Sequence, residues 1–412
     1  MDNLGRTPSA PDSYYLKASV SIILRKEGVI SMKKVYKALP AIVFVAFIGV
    51  MLILFLVLPK RDFSVPEKRY LEKAPAFTLS SFFKTEDKES SFQTHFESFI
   101  EDHTAGRDFW VELSAYYNLI LGNNGAKGVY HGKDGYLIND PTETEKFSRN
   151  LGFIEEFAEH IARMKVPVTV AVAPSTGYVC EDKLPDLHYT YHDDELFAEM
   201  QDTFKTAEFV DLREPLKTAY NDGNQVFYRT DHHWTSFGAF TAYQALSKSL
   251  GYTPNDKSAY EVTSYEGFYG TTYSTSGYWL TKPDDIEIWD NPDNQIDVSI
   301  VDGETKDQED MFFYSHLEEP DKYPVFLDGN HPYTVITNKN AATDEKLLVV
   351  KDSFAHSLVP FLADHYAQII MVDMRYYSMP MQPIIEHEGI DRVLFLYSVD
   401  NLATDDNIGL IE

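Results

Sequence analysis

"LPAIVFVAFIGVMLILFLVL", from Leu39 to Leu58, is twenty residues without a charge. As a helix it would rise about 30 Å, the thickness of a bilayer's hydrocarbon core. The run therefore divides the chain into a short N-terminal part, a span and a long remainder. Lys33, Lys34 and Lys37 precede it, with Arg25 and Lys26 further back, and Lys60 and Arg61 follow. Residues 1–61 hold nine Lys/Arg against three Asp/Glu, which leaves 27 against 61 for the rest. That basic excess predicts an N-terminus inside the cell membrane and a large acidic part outside. No small-x-small cleavage site closes the run, so an uncleaved, single-pass anchor is expected. The expected layout is a cytoplasmic tail at 1–38, the anchor at 39–58, a linker at 59–75 and an extracytoplasmic domain at 76–412. "MKKVYK", from Met32, is a usual opening for an exported bacterial chain, so translation is expected to begin at Met32.

The acidic remainder would repel a phosphate backbone, which argues against a nucleic-acid partner and favours neutral or weakly charged substrates. Cys180 is the one cysteine of the chain. It excludes an internal disulfide and any multi-thiolate zinc site. With no visible cause for a lowered pKa, it reads as a packed side chain.

Pro66 and Pro75 mark an extended tether after the anchor. A helical stretch over "FQTHFESFIEDHTAGRDFWVELSAYYNLIL" follows, with Gly106 at an internal break. "GVYHGKDGYLI" reads as a hairpin about Asp134-Gly135, with His131 beside the turn. From residue 150 amphipathic helices alternate with aliphatic strands: "VPVTVAVAPS", "EFVDL", "KLLVVKDSF", "AQIIMVDM" and "DRVLFLYSV". Such strands predict an α/β fold with a mostly parallel sheet covered on both faces. Residues 252–330 break the rhythm and read as a β-rich excursion beside that core.

Ligands of an open α/β sheet gather beyond the carboxyl ends of its strands. Three strands end there in polar residues: at Ser175, at Asp352-Ser353, and at Asp373 and Arg375. A serine on a strand-to-helix turn is an exposed nucleophile, with helix-start N–H groups facing a substrate oxyanion. Ser353 fits that position. "YRTDHHWTSFGAF", residues 228–240, offers its base: Asp231 would hold Nδ1 of His233 and leave Nε2 for Ser353. Trp234 would wall the site, and His232 would support it. Two other readings stay open. Asp231 and Asp352 are each suited to capping a helix, and Asp231, His232 and His233 resemble a metal cluster, although adjacent histidines seldom share one ion.

"TDHHWTSFGAF", with "EFVDLREPLK" before it and "DGNHPYTVITN", "LLVVKDSFAHSLVPFLADHY" and "VDMRYY" after it, resembles the DHHW protein family. That family is similar to the alginate O-acetylation proteins, whose catalytic domains are SGNH-hydrolase-like. The resemblance implies a three-layer SGNH-like domain, with Asp231 and His233 as acid and base and Ser353 as nucleophile. It implies a serine O-acetyltransferase or acetylesterase acting on a cell-surface polysaccharide without a cofactor. An acyl donor would come from a membrane-bound O-acyltransferase (MBOAT). Lys351 stands where such relatives often have glycine, and it would favour an oxyanion. Arg375 is a further candidate for substrate binding or oxyanion support, beside the plainer reading of an ion pair. The alternative from a different class is a non-catalytic carbohydrate-binding or scaffold protein of an envelope assembly.

Overall fold

The computed structural model describes residues 36–76 and 91–411, so Met32 and the basic residues before Tyr36 lie outside it. The chain forms two compact units, Met1–Asp62 with Tyr70–Arg107, and Phe63–Arg69 with Asp108–Glu412.

In the first unit the apolar run forms one helix, Tyr36–Val57, with a mean hydropathy of 3.0. It is long and apolar enough to cross a membrane, and its side chains are exposed rather than packed into a core. The helix Phe92–His103 starts at Ser91, whose hydroxyl accepts the Thr94 N–H. It holds the chain around Glu72. Asp102 accepts the Glu72 N–H (2.8 Å), His103 bonds the Glu72 carbonyl (3.0 Å), and His95 pairs with the Glu72 carboxylate (3.1 Å). The stretch read as an extended tether is thus bonded at Glu72. Residues 70–76 belong with this helix, while residues 63–69 belong to the second unit, where Lys68 pairs with Asp321 (2.9 Å).

The second unit is built on an eight-stranded sheet. Its strands are β1 (Val168–Ala173), β2 (Glu208–Asp211), β3 (Ile296–Asp302), β4 (Glu304–Gln308), β5 (Tyr333–Asn338), β6 (Lys346–Lys351), β7 (Gln368–Val372) and β8 (Arg392–Ser398). The spatial order is β4-β3-β5-β7-β6-β8-β1-β2. The five strands from β7 to β2 are parallel, and β5, β3 and β4 continue the sheet antiparallel. Six principal helices flank it: α1 (Phe147–Ile161), α2 (Asp193–Thr203), α3 (Ser236–Leu250), α4 (Ala355–Leu362), α5 (Gln382–Glu388) and α6 (Val399–Thr404).

Alternation of side chains along each strand makes two cores. Ala171, Val349 and Leu396 face one core with α3 and α4. Val170, Val350 and Phe395 face the other with α1, α2, α5 and α6. This is the three-layer arrangement expected of near-continuous aliphatic strands. The excursion corrects one expectation. Glu261–Phe268 and Asp284–Asp290 do pair as a separate hairpin, but β3 and β4 extend the main sheet rather than a lobe beside it. The cause lies in β3, where Val298 and Ile300 are buried in the same core as Ile336 of β5.

Candidate active site

Strand β6 ends at Lys351, and the chain turns through Asp352, Ser353 and Phe354 into α4. Asp352 shapes the turn. It is fully buried, its Oδ1 accepts the Phe354 N–H (2.9 Å), and its Oδ2 accepts from Ser398 N and Oγ and from Asn401 Nδ2 (2.7–2.8 Å). It is a turn brace tied to the end of β8 and does not cap α4. The Phe354 and Ala355 N–H groups, expected to face an oxyanion, are bonded to Asp352 instead. Among the described residues, the Ser353 N–H takes no acceptor, so it is the backbone donor left for a developing oxyanion.

The second half of the site is a tight loop closed by an antiparallel bridge between Phe227 and Trp234. Thr235 ends the loop and caps α3 by accepting the Gly238 N–H (3.1 Å). Asp231 is thereby free of the capping role and turns inward. Its Oδ1 accepts from the His233 N–H (2.9 Å) and lies 2.5 Å from His233 Nδ1. His233 Nε2 lies 2.7 Å from Ser353 Oγ. Asp231, His233 and Ser353 are all buried, with Ser353 the most accessible at 8%. Burial pushes the Asp231 carboxyl up, but the neighbouring His233 and His232 charges and the bonds from His233 carry it well below the usual carboxylate range. A permanently ionised partner orients the imidazole and stabilises the imidazolium of a proton transfer.

Three supports come from the excursion and carry no motif. Thr271 donates to Asp231 Oδ2 from its N–H (2.7 Å) and hydroxyl (3.1 Å). Gly270 lies so close that a Cβ there would fall 2.1 Å from Asp231 Cβ. Tyr323 stacks on the His233 ring, with centroids 4.0 Å apart and planes 10° apart, and donates to the Ser353 carbonyl (3.2 Å).

The remaining sequence candidates fall around this centre. His232 Nδ1 lies 2.5 Å from Thr271 Oγ1, and desolvation, then the His233 charge, lowers its pKa to about 4. Trp234 is a brace behind the nucleophile rather than a wall: it is fully buried and donates to the Phe354 carbonyl (3.1 Å) and Ser357 Oγ (3.0 Å). Lys351 is buried and donates to Asp373 (2.9 Å), with His356 Nε2 at 2.8 Å, so its ammonium is committed away from the oxyanion role. Arg375 forms the ion pair that was its plainer reading, gripping Asp373 through Nε (2.8 Å) and an Nη (2.6 Å). Ser175 gives its N–H to Asp193 (2.7 Å) and lines a narrow hollow with Thr176, Tyr191, His232, Thr272 and Phe354. His131 packs its ring against Tyr278, and burial raises the Cys180 thiol to about 12, as suits packed side chains. Asp231, His232 and His233 also bring ligand atoms within 4.8 Å of one another, the spacing of a metal site. Both ring nitrogens of His233 are already engaged by Asp231 and Ser353.

Residues 211–372, which hold Asp231, His233 and Ser353, match the family model described as DHHW protein. That stretch is similar to the DHHW proteins. Residues 129–277 match a second model, described as SGNH hydrolase-like domain, acetyltransferase AlgX. The fold agrees. A DHHW family protein from Eubacterium siraeum superposes with a TM-score of 0.60 at 22% identity, covering 69% of this chain and 95% of that one. PatB1 of Bacillus cereus superposes at 0.58 with 23% identity, covering 68% and 97%. The three-layer domain is thus SGNH-like. In sequence, the chain is 25% identical over 166 residues to the "probable alginate O-acetylase AlgJ" of Pseudomonas fluorescens, and 27% over 192 residues to that of Pseudomonas putida. These matches cover 38% and 42% of this chain, which spans less than half the length of the curated proteins it matches.

Proposed function

We propose that this protein is a membrane-anchored, outward-facing serine acyltransferase that O-acetylates a cell-surface polysaccharide. The observation that carries the reading is the unbroken line from Asp231 through His233 to Ser353 Oγ, at 2.5 and 2.7 Å. In the first half-reaction, Ser353 Oγ attacks the acetyl carbonyl of a donor as its proton passes to His233 Nε2. The carbonyl oxygen gains charge opposite the Ser353 N–H. The donor's leaving oxygen departs with the proton from His233, and an acetyl-serine remains. In the second half, His233 takes the proton of a sugar hydroxyl as that oxygen attacks the acetyl carbonyl; the bond from the acetyl group to Ser353 Oγ then breaks, and His233 returns the proton to Oγ. Similarity to proteins named for alginate O-acetylation supports transfer to a sugar rather than to water. The apolar helix Tyr36–Val57 suits an acyl donor passed across the membrane by an MBOAT-type partner.

The test is full-length protein in detergent, offered an acetyl ester and a serine-reactive fluorophosphonate. Ser353→Ala is expected to abolish labelling and to lower turnover at least about a thousandfold. Glycan binding without labelling or turnover in the unmodified protein would instead make it a carbohydrate-binding scaffold.

A further inference from the structure

A cleft of about 400 Å³ opens between two segments of the second unit. One wall is formed by residues 124–128 and the strand Val129–His131, the other by residues 187–189. Two hydrogen bonds fix the second wall. The Tyr189 N–H donates to the Tyr130 hydroxyl (2.9 Å), and the Tyr191 hydroxyl donates to the Asn139 carbonyl. Its side chains stay uncovered all the same: Leu187 is 70% exposed and Tyr189 73%. No ring of the described residues packs on that of Tyr189. A ring held in place but left bare is a preorganised contact, because its backbone is ordered before a ligand arrives. Tyrosine offers an apolar face beside a polar tip, which suits the C–H face of a sugar ring.

The cleft also supplies polar groups that the fold leaves free. Asp140 is half-buried, and among the described residues its carboxylate takes no hydrogen bond; nor does the side-chain amide of Asn124. The Tyr130 hydroxyl accepts from Tyr189 and keeps its own proton to donate. Lys127, which lines the cleft as well, leans toward Glu67 (3.8 Å). A carboxylate without a partner accepts sugar hydroxyls and repels a second carboxylate. Asp140 also ties the cleft to the candidate active site. It lines the narrow hollow that includes Ser175, Thr176, His232 and Phe354. His232 and Phe354 are the chain neighbours of His233 and Ser353. The two hollows therefore share a wall, and the second of them adjoins the nucleophile.

We propose that the cleft at Tyr189 and Asp140 is an acceptor subsite, which takes an uncharged sugar residue of the chain whose hydroxyl receives the acetyl group from Ser353. The Tyr189 ring covers the C–H face of that sugar, and Asp140, Tyr130 and Asn124 bind its hydroxyls. This proposal rests on reading the protein as a serine O-acetyltransferase.

Full-length protein in detergent is titrated with the neutral hexasaccharides cellohexaose, mannohexaose and N-acetylchitohexaose, and with the acidic hexagalacturonate. At least one neutral hexamer is expected to bind. Its Kd should rise about tenfold in Tyr189→Ala and in Asp140→Ala, with Tyr189→Phe close to the unmodified protein. Used as an acceptor, the same hexamer should show a KM raised about tenfold in Tyr189→Ala and a kcat little changed. Neither side chain has a hydrogen-bonding partner to lose among the described residues, and thermal melts check that the variants fold. The proposal is overturned if no neutral hexamer binds, if the Kd is unchanged in either Ala variant, or if hexagalacturonate binds more tightly than every neutral hexamer. Fluorophosphonate labelling of the unmodified protein keeps the two readings apart. Labelling at Ser353, with binding indifferent to Tyr189 and Asp140, removes the subsite alone. Neither labelling nor turnover, with binding that still depends on Tyr189, removes the acetyltransferase and the acceptor role with it, and leaves a glycan-binding site.

Discussion

Asp231 has two carboxylate oxygens with different tasks. Oδ1 holds the imidazole, and Oδ2 is held in turn by the N–H and hydroxyl of Thr271. Thr271→Val removes the hydroxyl donor to Asp231 and the partner of His232, but keeps the volume. A buried charge-assisted hydrogen bond is worth about 1.5–3 kcal/mol, so kcat is expected to fall about ten- to a hundredfold with KM little changed. Thr271→Ser should restore most of it, and a Val variant with normal kcat would remove Thr271 from the mechanism. The metal reading is decided at the same residues. With His233 already bonded through both nitrogens, dialysis against a chelator is expected to leave turnover unchanged. A loss reversed by added zinc would show that an ion takes part. Asp231, His233 and Ser353 were legible in sequence as a group, from the pairing of two short segments and from the resemblance, while either segment alone also fitted a helix cap or a turn. Thr271 and Tyr323 were not. They open short helical turns of the excursion, 40 and 90 positions beyond the residues they support, where no periodicity marks a contact.

At the scale of elements, the alternation of aliphatic strands and amphipathic helices carried the parallel core directly, because β1, β6, β7 and β8 are buried on both faces. The edge was harder. A strand at an antiparallel margin, such as β3, has a less continuous apolar run, and its sequence alone does not distinguish a sheet extension from a separate lobe. Helix starts reverse expectations as well. Asp193 opens α2, where the helix dipole favours a carboxylate. Yet it is 1% exposed, and desolvation outweighs the bonds from Ser175, raising its pKa to about 6. The folded-state pKa then lies above the unfolded value of about 3.9. Ionised Asp193 therefore costs stability above pH 6, and the penalty fades as the pH falls toward 4. Asp193→Asn keeps an acceptor for the Ser175 N–H. It is expected to be more stable than the unmodified protein at pH 8, by up to about 3 kcal/mol for a shift of some two pH units. At pH 4 the two should be alike. Denaturant unfolding at both pH values measures this, and a constant difference across pH would rule the titration out.

The whole molecule adds a long-range field to this local chemistry. Beyond residue 61 there are 61 acidic residues against 27 basic ones. A chain with that imbalance repels a polyanionic acceptor wherever the charges lie within a Debye length, about 10 Å at 0.1 M salt and 3 Å at 1 M. The site itself adds to the effect, since Asp231 remains ionised well below neutrality. A neutral glycan meets no such barrier, so acceptor charge separates the two cases experimentally. For a polyanionic acceptor, KM is expected to fall about severalfold between about 0.05 and 0.5 M salt, through screening alone. For a neutral acceptor of the same length it should hardly move, and kcat should be insensitive to salt for both, because Asp231, His233 and Ser353 are buried and weakly screened. Steady-state kinetics with matched acceptors reads these quantities. Should the polyanion instead bind best at low salt, a local basic track must outweigh the global charge, and the natural acceptor would be an acidic polymer.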